Sequence, residues 1–289
     1  MAELEKPAPK KRPKAAYALP TLFTAGNIFL GYISILRSYQ GSVLMHTNPT
    51  AASESFETAA KCIGVGMLLD GLDGRIARMT GTTSEFGREL DSLADIISFG
   101  IAPALLAYAW GVQFVDSGAG AALVDQLQRA GMFVIFLFLL CGAGRLARFN
   151  IQKNPVPKNP GKPNRKYFVG LPIPSAAAAV ASMVYFFGSE PITSWQISVV
   201  WIAGLAVLGF LMVSTWRYYS FKDINLRSPR SPLLLILLGG LIYLIWNYSQ
   251  PVLMLMAASY VLSGVVIRIL GILKRLRPSR QPATEHSVG

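Results

Sequence analysis

Residues 70–95 read DGLDGRIARMTGTTSEFGRELDSLAD, with one apolar run before them and another after. Asp70 and Asp73 stand three residues apart and Asp91 and Asp95 four, so on helices each pair shares one face. The segment Met79 to Arg88, with Gly81 and Gly87, is expected to turn the chain back and set the two helices antiparallel. Four carboxylates then converge near the membrane surface. A charge in the middle of a membrane helix costs about 2.5–3.5 kcal/mol to insert, and like charges this close repel one another. Divalent cations relieve both problems, and two of them about 3.5–4 Å apart can hold both oxygens of a phosphoryl displacement. The plainer alternative, ion pairing with Arg75, Arg78 and Arg145, accounts for one aspartate more readily than for four at these spacings.

The composition around this stretch is that of a membrane protein. Of the 289 residues, 52% are hydrophobic and 15% charged, against about 25% charged in a soluble domain. Mean hydropathy is +0.42. The net charge of +12 does not point to nucleic acid, because the charges cluster in short segments between apolar runs, as loops facing anionic lipid do. Cys62 and Cys141 sit in apolar stretches with no CxxC pair, and His46 and His286 lie in a loop and a tail. Any metal is therefore expected on carboxylates, which favours magnesium or manganese.

A membrane helix needs roughly 20 mainly apolar residues. Eight stretches qualify, over approximately 18–38, 56–79, 90–111, 129–150, 171–189, 195–215, 231–248 and 251–273. The expected fold is an all-α integral membrane bundle of about eight helices. A basic cytoplasmic leader spans 1–17, the membrane domain 18–273 and a polar cytoplasmic tail 274–289. With both termini cytoplasmic, all but three of the 27 basic residues face one side, the exceptions being Arg37, Lys61 and Arg129. That is the asymmetry the positive-inside rule describes. Glycines and alanines recur within the helices, among them Gly64, Gly66, Gly142 and Gly144, and suit close helix packing.

Gly74 and Gly87 lack a side chain, so a nucleotide or its phosphates can approach the backbone there. Ala77 is small for the same reason, and Arg78, one turn beyond Gly74, can fork onto a phosphate. The spacing Asp70-x2-Asp73-Gly74-x2-Ala77-Arg78-x8-Gly87-x3-Asp91-x3-Asp95 resembles the full signature of the CDP-alcohol phosphotransferase family. The resemblance extends over roughly residues 18–215. It implies that Asp70, Asp73, Asp91 and Asp95 are metal ligands for two Mg2+ or Mn2+ ions, with Asp95 also the base that deprotonates the incoming hydroxyl. It assigns Gly74, Ala77, Arg78, Ser84, Gly87 and Asn27 to the CDP-lipid. It also implies a homodimer in the cytoplasmic (inner) membrane, with its site facing the cytoplasm.

Three further segments narrow the family. In the first helix Thr24, Asn27 and Gly31 share a face, and a polar stripe in lipid is usually turned inward. Gly144 to Asn150 closes the fourth helix, and Phe168-Val169-Gly170-Leu171-Pro172-Ile173-Pro174 opens the fifth. With Ser98 to Pro103, these look like the phosphatidylserine synthase branch, whose substrates are CDP-diacylglycerol and L-serine. Arg145 or Arg148 then holds the serine carboxylate or a phosphate, although cytoplasmic anchoring explains either arginine alone. Pro172 and Pro174 also suit simple helix initiation, and the loop 151–168 is expected to be irregular. An acceptor such as glycerol 3-phosphate or inositol phosphate remains open within the family. A cation transporter is the alternative of another class, though transporters tend to place such groups on broken helices at the midplane.

Overall fold

The computed structural model describes residues 15–80, 84–116, 118, 120–152, 167–219 and 232–276. The chain runs through α1 (Ala15–Leu44), α2 (Pro49–Thr80), α3 (Glu85–Ile96), a π-helical turn (Ile97–Ile101), α4 (Ala102–Gly111) and α5 (Ala121–Gln152). There follow β1 (Tyr167–Val169), α6 (Ile173–Phe186), α7 (Trp195–Val213), β2 (Arg217–Tyr219), α8 (Pro232–Asn247) and α9 (Ser249–Leu276). If α3, the π turn and α4 are taken as one rod, each expected stretch falls on a helix. Four rods are long and apolar enough to cross a membrane: Glu85–Gly111, Ala121–Ile151, Trp195–Val213 and Ser249–Leu273.

The others differ for readable reasons. Helix α2 carries Glu54, Glu57, Lys61, Asp70, Asp73, Arg75 and Arg78, so its composition reflects a polar face as much as lipid contact. Helix α6 has 14 residues, about 21 Å at 1.5 Å per residue, which is shorter than a hydrocarbon core of about 30 Å. Several helices outrun their expected ends. Helix α1 begins at Ala15 inside the expected leader, α2 begins at Pro49, and α5 begins at Ala121, where Asp125 and Arg129 pair one turn apart at 2.7 Å. The rest of the leader, most of the 151–168 loop and the tail beyond Leu276 lie outside the described residues.

The all-α expectation needs one amendment. Strands β1 and β2 form an antiparallel ribbon with Val169 opposite Arg217. Gly170 ends β1 at φ +79°, and a Cβ there would sit 3.0 Å from the Ser214 carbonyl oxygen. Only glycine suits both the left-handed backbone and that close approach. The Gly170 and Leu171 amides then donate to the Trp216 and Leu211 carbonyls, at 2.8 and 3.0 Å. The chain thus enters α6 beside the end of α7, with Pro172 as N-cap and Pro174 in the first turn.

The π turn has a local cause. Pro103 has no amide hydrogen and its ring would crowd the Phe99 carbonyl in a regular helix; the wider turn lets the Ala102 amide reach back to the Ile97 carbonyl. It pushes Ser98 toward α1, where its hydroxyl donates to the Asn27 carbonyl at 2.9 Å. Gly31 permits the contact, since a Cβ there would stand 2.9 Å from Ser98 Cα. Phe56, Phe99, Phe138, Leu171 and Tyr218 are fully buried in the core that follows. Trp201 lies edge-on to Trp110 at 5.1 Å and donates to the Ala107 carbonyl. Outward faces carry exposed Phe133, Phe136, Val200, Phe210 and Trp246, an apolar surface of the kind lipid covers.

Candidate active site

The two aspartate helices reach further into the expected 79–88 segment than the sequence suggested. Helix α2 continues to Thr80 and α3 starts at Glu85. Ser84 is the N-cap of α3 and its hydroxyl accepts the Gly87 amide at 2.9 Å. Ser84 and Gly87, two of the six residues assigned to the CDP-lipid, therefore also serve the start of α3, one as a cap and one in its first turn. Gly87 further allows the hydroxyl to sit close, 3.0 Å from where a Cβ would be.

The two helices bring Asp70, Asp73 and Asp91 together, with one carboxylate oxygen from each lying within 4.8 Å of the others. Asp95, one turn beyond Asp91, falls outside that trio. It is held beside it, since it interacts electrostatically with all three and with Arg145. Asp73 is buried and accepts a hydrogen bond from the Thr24 hydroxyl of α1 at 3.0 Å. Among the described residues no cation forms a salt bridge with Asp73 or Asp95, and buried Asp95 Oδ1 has no hydrogen-bond partner. Three clustered carboxylates and an orphaned fourth oxygen make a hard-oxygen donor set that fits a divalent cation.

Asn27 lies one turn from Thr24 on α1 and is fully buried. Neither Nδ2 nor Oδ1 has a partner among the described residues, and Gly66 on α2 makes room for the amide, a Cβ there standing 2.8 Å from Oδ1. A buried amide left in this state has hydrogen-bonding capacity to offer. Gly74 is half-buried on α2; the side chains of Ala77 and Arg78 lie outside the described residues.

The two candidate arginines on α5 are placed differently. Arg148 donates to the Val213 and Val169 carbonyls, at 3.4 and 3.3 Å, and so ties α5 to the end of α7 and the end of β1. Arg145 is 9% exposed, lies over the Phe149 ring at 6.0 Å, and its Nε has no hydrogen-bond partner among the described residues. It interacts electrostatically with Tyr260 of α9, with Asp95 and with Arg148. Sequence reasoning missed the supports of this corner. Asn150 donates to the Ser92 hydroxyl at 2.9 Å and pins α5 to α3, and Tyr260 hydrogen-bonds Ser175 of α6. An Asn two residues past Arg148 and a lone tyrosine in an apolar helix were the available signals.

The family model for CDP-alcohol phosphatidyltransferases matches residues 17–216. The chain belongs to that family. It is a membrane enzyme of phosphatidyl transfer, and the aspartate trio lies within the matched residues. Over 223 residues it is 39% identical to a CDP-diacylglycerol–serine O-phosphatidyltransferase of Helicobacter pylori, covering 77% of this chain and 81% of that one. A protein of the same name from Bacillus subtilis is 31% identical over 215 residues, 73% of this chain and 97% of the relative. An archaetidylserine synthase of Methanothermobacter thermautotrophicus is 34% identical, over 70% of this chain and 69% of the relative.

Proposed function

We propose that this enzyme transfers the phosphatidyl group of CDP-diacylglycerol to the hydroxyl of L-serine, giving phosphatidylserine and CMP. The observation that carries the serine reading is Arg145, a buried guanidinium with an unused donor within electrostatic range of Asp95. Its fork matches a carboxylate, so serine bound there directs its hydroxyl toward Asp95. The relatives agree on this half of the reaction, since serine is common to their names while the lipid differs.

Asp70, Asp73 and Asp91, with Asp95, would hold one or two Mg2+ or Mn2+ ions, which when bound neutralise the diphosphate and favour the alkoxide. Asp95 takes the hydroxyl proton. The serine oxygen bonds to the phosphorus that carries the diacylglycerol, the bond from that phosphorus to the bridging oxygen breaks, and CMP departs with the electron pair. Arg78, Gly74, Ala77, Ser84, Gly87 and Asn27 are assigned to the CDP-lipid, the amide of Asn27 supplying hydrogen bonds that no partner among the described residues takes up. Arg148 supports the corner through the two carbonyls it binds. The proposed setting is eight spans in the inner membrane, with both termini and the site on the cytoplasmic side, in a homodimer.

The test offers acceptors singly to the purified enzyme with CDP-diacylglycerol and follows CMP. Release is expected with serine and not with glycerol 3-phosphate or inositol phosphate. Equal turnover of serine and glycerol 3-phosphate would remove the serine assignment and leave the family reaction standing.

A further inference from the structure

A cavity of about 260 Å³ lies between the start of β2 and the last turns of α9, away from the aspartates. Arg217 and Arg268 both line it, with Thr215, Trp216, Ile267 and Gly271. Among the described residues neither arginine forms a salt bridge. Both arginines fall beyond residues 17–216, as does the α9 wall, whereas Thr215 and Trp216 are the last two lining residues inside the family match. Its two sides are held together by Tyr218, which donates to the Val261 carbonyl at 3.4 Å. A Cβ at Gly264 would overlap the Tyr218 ring.

We infer that this cavity binds a phosphate group, and that the phosphate is that of an anionic membrane lipid. Two guanidinium forks lining one cavity with no salt-bridge partner suit phosphate oxygens, and the Thr215 hydroxyl is a third donor. The remaining walls decide the source. Ile267 and Trp216 give a free phosphate nothing, whereas indole and aliphatic walls beside basic groups are the surroundings of a lipid headgroup at the membrane interface. The adjoining face of α9 offers exposed Val266, Ile269, Leu270 and Leu273 to acyl chains. Only 6% of the apolar window of α9 is buried within the protein.

The full chain in nanodiscs of neutral phosphatidylcholine is titrated with phosphatidic acid brominated on its acyl chains, and quenching of tryptophan fluorescence is read. Saturable quenching is expected, and Trp216→Phe should remove its largest component. The double change Arg217→Gln with Arg268→Gln should weaken binding at least tenfold. Gly271→Leu should do the same by filling the cavity, since a Cβ at Gly271 meets no atom within 4 Å and the fold can accept it. Arg37→Gln with Arg129→Gln removes the same charge elsewhere and should leave binding unchanged. Wild-type affinity in both cavity variants, or an equal loss in this control, overturns the site. Displacement of the lipid by inorganic phosphate at matching concentration overturns the lipid as its occupant.

Discussion

Thr24→Val removes one hydroxyl and keeps the shape of the side chain, so it isolates what α1 contributes to the aspartate cluster. The hydroxyl donates to Asp73 Oδ2 at 3.0 Å. Thr24 and Asp73 are each only 5% exposed, so bulk water has little access to replace the lost donor. A hydrogen bond to a charged group is worth about 1.5–3 kcal/mol, and about 1.4 kcal/mol corresponds to a tenfold change in affinity. If the bond orients Asp73 as a ligand, the variant should bind its divalent cation roughly 10- to 100-fold more weakly, the range typical of partners behind metal ligands. The assay is CMP release titrated with Mg2+ or Mn2+, alongside Mn2+ binding followed by electron paramagnetic resonance without substrate. Half-saturation should move up by that factor in both, most of the turnover should return at saturating metal, and Thr24→Ser should restore the wild-type curve. An unchanged metal dependence in Thr24→Val, or an equal loss in Thr24→Ser, would refute the positioning role of Thr24.

Asp95→Asn should lower turnover at least about 100-fold, as loss of a general base does, while Mn2+ binding persists through the Asp70, Asp73 and Asp91 trio; appreciable CMP release would show that another group takes the proton. Arg145→Ala should raise the KM for serine about 10- to 100-fold, matching a lost charge-assisted contact, with a smaller change in the KM for CDP-diacylglycerol. Equal effects on both would place Arg145 with the nucleotide. Gly170→Ala forces a left-handed backbone on a residue with a Cβ, costing about 1–2 kcal/mol before its overlap with the end of α7 is counted; a lower unfolding midpoint is expected, and an unchanged one would mean the ribbon adapts freely.

The helices were legible because hydropathy acts over tens of residues, and each apolar stretch did become a helix. Their ends were not, since polar residues that pair locally can extend a helix past its apolar part, as Asp125 does with Arg129 in α5. The ribbon was invisible for a different reason. Three-residue strands carry almost no periodic signal, and β1 exists because Gly170 and the Trp216 carbonyl meet across 46 positions of sequence. The expectation that Pro172 and Pro174 begin a helix held, because proline acts on its own backbone and needs no distant partner.

The same division between local and distant causes runs through the site. The aspartates could be read in advance because their spacing fixes them on facing helices joined by a short turn, and the structure gathers Asp70, Asp73 and Asp91 within 4.8 Å. The Arg145 corner is assembled from α5, α6 and α9. What distinguishes Arg145 from Arg148 is which groups meet each: two distant backbone carbonyls for Arg148, and Tyr260 and Asp95 from other helices for Arg145, with Phe149 of its own helix beneath it. Three residues apart on one helix, both arginines were candidates in the sequence. Packing separates them, engaging one with the scaffold and leaving the other a buried donor beside Asp95. Tyr260 and the rest of α9 lie outside the residues shared with the family model, so one side of that corner is built by the part of the chain that the motif does not constrain.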